Sequence, residues 1–319
     1  MPLAEKALIA RIRRQVSRSA AVRIGIGDDC AVLRIPVGHE ALVTTDFSLE
    51  GIHFRRDWHS PESVGHRCLA RGLSDIAAMG GQPIATFISL ALPRGTPQRW
   101  IDGFSRGLLA LAKKWSITLA GGDTAESPAG ILADVVVLGS APKGKAILRS
   151  GARPGDFIYV TGKLGGSAAT LHRLMKNPRS KLALRDFPSH FFPEPRLEVG
   201  RILREKNLAT SMIDLSDGLS TDLSHICDES SAGAEISAEA IPLAAIGRPA
   251  TKVKLDSALH GGEDYELLFT ASHRKKIPSQ IDGIPITRIG RITGNKKIVL
   301  LNKGRASELK PRGWEHFTR

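Results

Sequence analysis

The sequence predicts an α/β (α+β) fold in two domains, on the basis of three observations. The chain has 319 residues, a length that favours two domains over one. Short apolar runs typical of strands alternate with runs of helical periodicity in both halves. Between residues 141 and 156 the composition changes to proline, glycine and basic residues. We therefore predict an N-terminal domain over residues 1–141 and a C-terminal domain over residues 150–319.

Apolar spacing and proline positions define the elements of the first half. Leu8, Ile12 and Val16 recur at helical spacing, and Pro61 stands where a helix commonly begins. The predicted elements are a helix over 3–18, a strand over 41–45, a helix from 60, a strand over 83–92, a helix from 96, and strands over 117–120 and 131–139.

The second half continues the alternation. Residues 162–166 are rich in glycine, but their spacing is that of neither a P-loop nor a dinucleotide-binding loop. Residues 176–195 are polar, contain prolines and are predicted to form a loop. The remaining predictions are strands over 157–161, 211–213, 234–237, 265–270, 286–292 and 297–301, and helices over 167–175, over 198–205 and after residue 218.

The main candidate for a functional site is residues 213–222, Ile-Asp-Leu-Ser-Asp-Gly-Leu-Ser-Thr-Asp. Asp214, Ser216 and Asp217 are predicted to lie on a strand-to-helix turn, where oxygen atoms and backbone N–H groups can converge on a metal or an anion. Taken alone, the stretch is also compatible with Ser216 or Asp217 merely capping the helix.

Similar groups, each with aspartate beside glycine or a hydroxyl residue, recur along the chain, which suggests one shared acidic site. Mg²⁺ prefers oxygen ligands and usually binds one or two carboxylates together with substrate phosphates. Many converging carboxylates therefore indicate several Mg²⁺ ions holding a polyphosphate, and phosphoryl transfer as the reaction class. No arrangement of residues indicates a covalent nucleophile. The additional groups lie at residues 27–29, 44–46, 74–75, 121–124 and 261–264.

Charge and cysteine content limit the partners and the location. The net charge of +13 makes nucleic acid a candidate partner, but the basic residues are scattered and aromatic residues are only 5%, so nucleic-acid binding is disfavoured. No apolar run is long enough to span a membrane. Three cysteines far apart in sequence favour neither disulfides nor a zinc site, and we expect a reduced, cytoplasmic protein.

Seven short motifs, in order over essentially the whole chain, resemble those of the thiamine-monophosphate kinases. The resemblance implies the fold shared with aminoimidazole ribonucleotide synthetase, with an N-terminal domain that dimerises through its sheet and a C-terminal domain that closes the nucleotide cleft. The motifs are Gly25-Ile-Gly-Asp-Asp-Cys30, Thr44-Thr-Asp46 with Gly51-Ile-His-Phe54, Leu73-Ser-Asp-Ile-Ala-Ala-Met-Gly80, Gly121-Gly-Asp-Thr124, Arg149-Ser-Gly-Ala-Arg-Pro-Gly-Asp156, Asp214-Leu-Ser-Asp-Gly218 and Gly261-Gly-Glu-Asp-Tyr-Glu-Leu267.

The resemblance also implies a reaction and a set of site residues. ATP would phosphorylate thiamine monophosphate to thiamine diphosphate by direct in-line transfer with several Mg²⁺ ions, in a homodimer; a K⁺ requirement is left open. Arg149 and Asp75 would support the transition state and the metals. The implied metal ligands are Asp29, Thr44, Thr45, Asp46, Asp75, Asp123, Asp214 and Asp217; the ATP contacts are Gly122, Arg149 and Ser216; the substrate contacts are His53, Glu263 and Trp314.

Some alternatives remain open at this stage. His53 and Trp314 are of types that more often serve as ordinary surface or packing residues, and Arg149 could equally be a surface charge of the linker. Gly72 and Ala125 depart from the family pattern by removing a polar side chain each, although no carboxylate is lost. The rival functions are another ATP-dependent enzyme of the same fold or, from a different class, a basic nucleic-acid-binding protein.

Overall fold

A computed structural model of the chain describes residues 3–17, 19–314 and 317. The chain divides into two compact units, one formed by residues 1–76 and 81–144 and the other by residues 77–80 and 145–319. Among the described residues, no helix combines the length and the apolar character that crossing a membrane requires.

The N-terminal unit is built on a four-stranded mixed sheet. Its elements are α1 (Glu5–Arg13), β1 (Val22–Ile24), β2 (Val32–Leu33), β3 (His39–Leu49), α2 (Pro61–Ala78), β4 (Gln82–Pro93), α3 (Gln98–Lys114), β5 (Thr118–Ser127) and β6 (Leu132–Pro142). The sheet order is β3-β6-β4-β5, in which only β4 and β5 pair in parallel. The first helix is shorter than predicted: it ends at Arg13, where the chain tightens and the N–H of Gln15 bonds to the carbonyl of Ile12.

Helices α2 and α3 pack closely because each contributes a glycine at their crossing. A Cβ atom on Gly65 would overlap the carbonyl of Phe104, and one on Gly107 would overlap the carbonyl of Glu62. Both glycines are buried. The absence of side chains therefore fixes the distance between the two helices.

The C-terminal unit is built on a larger mixed sheet. Its strand order is β16-β15-β9-β14-β7-β12-β8, with β13 beside β14, and only β9 and β15 pair in parallel. The elements are β7 (Phe157–Thr161), α4 (Gly166–Lys176), α5 (Pro188–Phe191), α6 (Leu197–Glu205), β8 (Ser211–Asp214), α7 (Leu219–Glu229), β9 (Gly233–Ser237), β10 (Ala245–Ile246), β11 (Thr251–Lys252), α8 (Leu255–His260), β12 (Leu267–Ala271), β13 (Gln280–Ile281), β14 (Ile284–Thr293), β15 (Ile298–Asn302) and β16 (Arg305–Glu308), with 3₁₀ turns at Leu184–Asp186 and Ala238–Ala240.

The core of this unit places the edge strand β8 and helix α7 together. Ile213 at the end of β8 and Leu219 and Leu223 of α7 are buried in one apolar cluster with strands β7, β9 and β12. The region 176–195, predicted to be a loop, contains α5 and a 3₁₀ turn because Phe187 and Phe191 are buried there. The packing thus anchors both sides of the turn that joins β8 to α7.

The substitution Gly107→Ala tests the close packing of α2 against α3. Alanine favours an isolated helix by about 1 kcal/mol over glycine, whereas overpacking a core costs about 1–3 kcal/mol. Because the new methyl would overlap backbone, which cannot move aside like a flexible side chain, we expect the unfolding free energy of the N-terminal unit to fall by about 1–3 kcal/mol in urea titrations. Gly95→Ala is the control, since a Cβ atom there meets nothing within 4 Å. Equal stability of the two variants would contradict the contact.

Candidate active site

The turn between β8 and α7 is closed by a buried carboxylate. Oδ2 of Asp222 accepts hydrogen bonds from the backbone N–H groups of Asp217 at 3.2 Å and Gly218 at 3.0 Å. Asp222 is only 1% exposed. Burial, together with the charges of Asp214 and Asp217, raises the pKa of Asp222 well above its ordinary value. The turn therefore carries Asp214, Ser216 and Asp217 on a backbone that is held from inside.

The segment that contains Glu263 is fastened to this turn by backbone hydrogen bonds. The N–H of Glu263 bonds to the carbonyl of Ser216 at 2.8 Å, and that of Tyr265 bonds to the carbonyl of Leu215 at 2.9 Å. Glu263 adopts a left-handed conformation with φ of 65°. Gly262 has no room for a side chain, because a Cβ atom would overlap the carbonyl of Ser216. Glu263 and Ser216 are thus neighbours, although 47 residues separate them in the sequence.

Residues near the C-terminus lie against the same turn. The N–H of Gly313 bonds to Oγ1 of Thr221 at 3.0 Å, and the N–H of Trp314 bonds to the carbonyl of Asp217 at 3.3 Å. Trp314 remains 40% exposed. Glu315 and His316, which follow Trp314 in the sequence, lie outside the described residues. The C-terminal unit therefore brings together Asp214, Ser216, Asp217, Glu263 and Trp314.

Two further acids of the Gly-Gly-Glu-Asp-Tyr-Glu-Leu motif have structural contacts. Asp264 is buried, and its carboxylate accepts hydrogen bonds from the N–H groups of Gly165 at 2.6 Å and Ser167 at 3.4 Å. Burial raises its pKa to about 7 despite these bonds. This internal carboxylate occupies the N-terminus of α4, where a glycine-rich loop would otherwise present N–H groups to a phosphate.

Glu266 forms the other structural contact. It accepts a hydrogen bond from Oγ1 of Thr161 at 2.5 Å and one from Nε of Arg196 at 2.7 Å. Both Glu266 and its partner Arg196 are largely withdrawn from solvent. The motif therefore divides into Asp264 and Glu266, which anchor the segment, and Glu263, which lies beside the turn.

The N-terminal unit has its own cluster of acidic residues, formed by Asp46 of β3, Asp134 of β6 and Asp75 of α2. The hydroxyl of Thr44 donates to Asp75, and that of Thr45 donates to Oδ1 of Asp134 at 2.7 Å. Burial, and next the charge of Asp75, raise the pKa of Asp46 to about 7. Asp134 also raises the pKa of Asp46, whereas Arg71, whose Nε lies 3.8 Å from Oδ1 of Asp46, lowers it.

Other predicted residues of this unit lie on turns and strand ends. Asp29 and Asp123 are exposed, and His53 is half-buried with Nδ1 accepting the N–H of Leu49 at 3.0 Å. The neutral ring of His53 therefore carries its proton on Nε2. Gly122 could not carry a side chain, because a Cβ atom would overlap the carbonyl of Ile88.

Arg149 belongs to the C-terminal unit and has an exposed side chain. Its backbone carbonyl accepts a long hydrogen bond, 3.4 Å, from Oγ of Ser230 at the end of α7. The adjacent Leu148 accepts the N–H of Met212 at 2.9 Å, which places this segment along β8. The guanidinium is therefore carried on a segment whose backbone is fixed.

Two clusters of acidic residues have the chemistry to bind a divalent cation: Asp214 with Asp217 in the C-terminal unit, and Asp46 with Asp75 in the N-terminal unit. The donors are carboxylate and hydroxyl oxygens, which hard cations such as Mg²⁺ prefer. In the N-terminal unit, mutual repulsion between Asp46 and Asp75 raises the pKa of Asp46, and a bound cation would relieve that repulsion.

Sequence reasoning gave no role to Asp134, Asp222 and Arg71. Asp134 lies within the long apolar strand 131–139, and a lone acid in such a run was the available signal. Asp222 follows Asp217 at a spacing of five residues, and only the fold shows that its carboxylate accepts a hydrogen bond from the backbone N–H of Asp217. Arg71 had no signal in the sequence, since its relation to Asp46 depends on how α2 packs against β3.

Comparisons with known proteins cover the whole chain. The family models "AIR synthase related protein, N-terminal domain" and "AIR synthase related protein, C-terminal domain" match residues 27–141 and 153–301, which confirms the predicted fold class. A thiamine-monophosphate kinase of Escherichia coli O157:H7 is 38% identical, with 99% of each chain aligned.

Two solved structures are also similar over their full length. The crystal structure of a thiamine-monophosphate kinase from Stenotrophomonas maltophilia K279a is 35% identical with a TM-score of 0.80, covering 96% of this chain and 99% of that one. The protein AaThiL complexed with AMPPCP and TMP is 30% identical with a TM-score of 0.77, covering 99% of both chains.

Two substitutions test whether Glu266 anchors the segment at residues 261–267 more strongly than Glu263 does. Glu266→Ala leaves Arg196 without its partner, and breaking a buried pair in this way costs about 3–5 kcal/mol. We expect the C-terminal unit to lose about that much stability in urea unfolding. Glu263→Ala removes a half-buried side chain that lies outside the buried Glu266–Arg196 pair, and we expect a smaller loss, below about 1 kcal/mol. A Glu263→Ala variant as unstable as Glu266→Ala would show that Glu263 is also structural.

Proposed function

The chain belongs to the AIR synthase related family and, within it, to the thiamine-monophosphate kinases, and we propose that it transfers the γ-phosphoryl group of ATP to thiamine monophosphate. The products are thiamine diphosphate and ADP. The observation that carries this proposal is full-length identity of 30–38% to such kinases, including one complexed with AMPPCP and TMP. The turn at residues 214–218 with Glu263 and Trp314 beside it supports the proposal.

The carboxylates of both units hold Mg²⁺ in this proposal. The ligands are Asp29, Thr44, Thr45, Asp46, Asp75, Asp123, Asp214 and Asp217. When bound, Mg²⁺ neutralises charge on the transferred phosphoryl group and orients the phosphates of ATP. Asp75 accepts the hydroxyl of Thr44, so that each fixes the other's position for metal binding.

The substrates are positioned by a few further residues. The backbone of Gly122 and the hydroxyl of Ser216 contact ATP. The guanidinium of Arg149 donates paired hydrogen bonds to the phosphate oxygens of ATP. Glu263 bonds to the pyrimidine edge of thiamine monophosphate, and the partly exposed ring of Trp314 stacks on its cationic thiazolium or its pyrimidine. His53 also contacts the substrate in this proposal.

The transfer is direct and in line, without a covalent enzyme intermediate. Burial raises the pKa values of Cys68 and Cys227 to about 12, so neither thiol forms a thiolate at neutral pH. Positioning and charge neutralisation therefore account for catalysis. The three free cysteines suit a reducing compartment, and we propose the cytoplasm as the location.

The sheet of the N-terminal unit supports a homodimer. Val43 and Phe47 lie four residues apart on β3, so their side chains point to the same face of the strand. They are 65% and 55% exposed, so this face presents apolar side chains to solvent. Exposed apolar patches often mark protein interfaces. In the proposal, the N-terminal domain, residues 1–141, dimerises through this face and binds ATP and Mg²⁺. The proposed C-terminal domain, residues 150–319, contributes the turn at residues 214–218 together with Glu263 and Trp314.

Product analysis tests the reaction. We expect thiamine diphosphate and ADP in equal amounts from ATP, Mg²⁺ and thiamine monophosphate, and none without Mg²⁺. Asp75→Asn removes one carboxylate charge from the metal site and should lower kcat/KM by at least about 100-fold, or about 2.7 kcal/mol in the barrier. Asp57→Asn is the matched control, because the Asp57 side chain is exposed and its ion pair with Arg55 is long, at 3.8 Å.

Two other results of these assays would favour a different function for the protein. ATP binding without thiamine diphosphate would favour another enzyme of the same fold, and ribonucleotide amides would be the next substrates. A protein that binds no ATP but binds nucleic acid with steep salt dependence would favour the basic-surface alternative.

The substitution Val43→Arg tests the dimer, because Val43 is 65% exposed and pairs with Leu138 of β6. A charge in the centre of an apolar interface is costly to bury, so we expect a shift from dimer to monomer in sedimentation velocity at micromolar concentration. Val37→Arg, at a fully exposed loop residue, should leave the dimer intact. A wild-type protein that sediments as a monomer would contradict the proposal.

A further inference from the structure

We propose that Asp217, Asp222 and His225 form a site for a first-row transition-metal ion of the Co²⁺ or Zn²⁺ class, in addition to any Mg²⁺ bound by oxygen ligands. One potential ligand atom of each of the three side chains lies within 4.8 Å of those of the other two. All three belong to the C-terminal unit, on the turn and the first two turns of α7.

The geometry requires only small movements to surround an ion. Ligand atoms held at about 2.0–2.2 Å from a tetrahedral ion lie about 3.4 Å apart. Closing from 4.8 Å or less therefore needs shifts of the order of 1 Å. Asp222 and His225 are three residues apart on α7, so they project from one face of the helix.

The side chains differ in how firmly they are held. Asp222 is fixed by the two N–H groups that its Oδ2 accepts, while His225 is half-buried. The imidazole of His225 makes no hydrogen bond to any other residue in the described part of the chain. A ring nitrogen is therefore available to a metal, within 4.8 Å of a carboxylate oxygen of Asp217 and one of Asp222.

The histidine determines which metal is selected. Imidazole nitrogen is a good ligand for Co²⁺ and Zn²⁺, whereas Mg²⁺ prefers oxygen donors. A mixed set of two carboxylates and one imidazole therefore favours the transition metal. If the proposed kinase function holds, Asp217 is shared between the two kinds of ion, and the transition metal competes with Mg²⁺.

Titration of the metal-free protein with Co²⁺ tests the site. The protein is the untagged full-length chain with Cys30→Ser, because Cys30 is the exposed thiol and the other two cysteines are buried. Binding is followed by calorimetry and by visible absorption, without ATP or thiamine monophosphate. This assay can therefore fail or succeed independently of the proposed reaction.

We expect His225→Gln to weaken the tightest Co²⁺ equivalent by at least about tenfold, with Mg²⁺ affinity changed less than about twofold. His172→Gln, at an exposed histidine of α4, is the matched control and should bind Co²⁺ like the parent protein. Thermal unfolding of both variants verifies the fold. Co²⁺ affinity unaffected by His225→Gln, lost equally in His172→Gln, or absent from the parent protein would overturn the proposal.

Discussion

The candidate site of the C-terminal unit depends on the hydrogen bonds that the buried Asp222 carboxylate accepts from residues 217 and 218. A buried carboxylate is unfavourable unless backbone N–H groups or cations compensate it. Here the compensation comes from the turn itself, so the side chain and the backbone stabilise each other. The segments at residues 263–265 and 312–314 then bond to the carbonyls and hydroxyl that this closed turn presents.

Neighbouring acids of similar sequence context have different roles because their surroundings differ. Asp264 and Glu266 are buried against N–H groups and an arginine, and they hold the segment in place. Glu263 is held in a left-handed conformation beside Ser216, and in our proposal it contacts the substrate. The glycine-rich loop before α4 is likewise explained: an internal carboxylate takes the position where a nucleotide loop would hold phosphate.

The N-terminal unit combines a rigid scaffold with an electrostatically strained group of acids. The reciprocal glycines of α2 and α3 fix the helices closely, and α2 carries Asp75 to the side of β3. The repulsion between Asp46 and Asp75 is reduced in part by Arg71. If Mg²⁺ binds there as proposed, it would reduce the remaining repulsion and so add to the stability of this unit.

The sequence by itself determined the fold class, most element positions and the short motifs, because periodicity and turn residues are local properties. The strand at 157–161 and the turn after residue 214 are examples. Only the tertiary structure decided which acids are bonded to backbone N–H groups or to an arginine inside the C-terminal unit. Asp222, Asp264 and Glu266 are acidic in the sequence like Asp217 and Glu263, and their roles follow from partners that lie up to 105 residues away. Burial and hydrogen bonding depend on long-range packing, which no local pattern records.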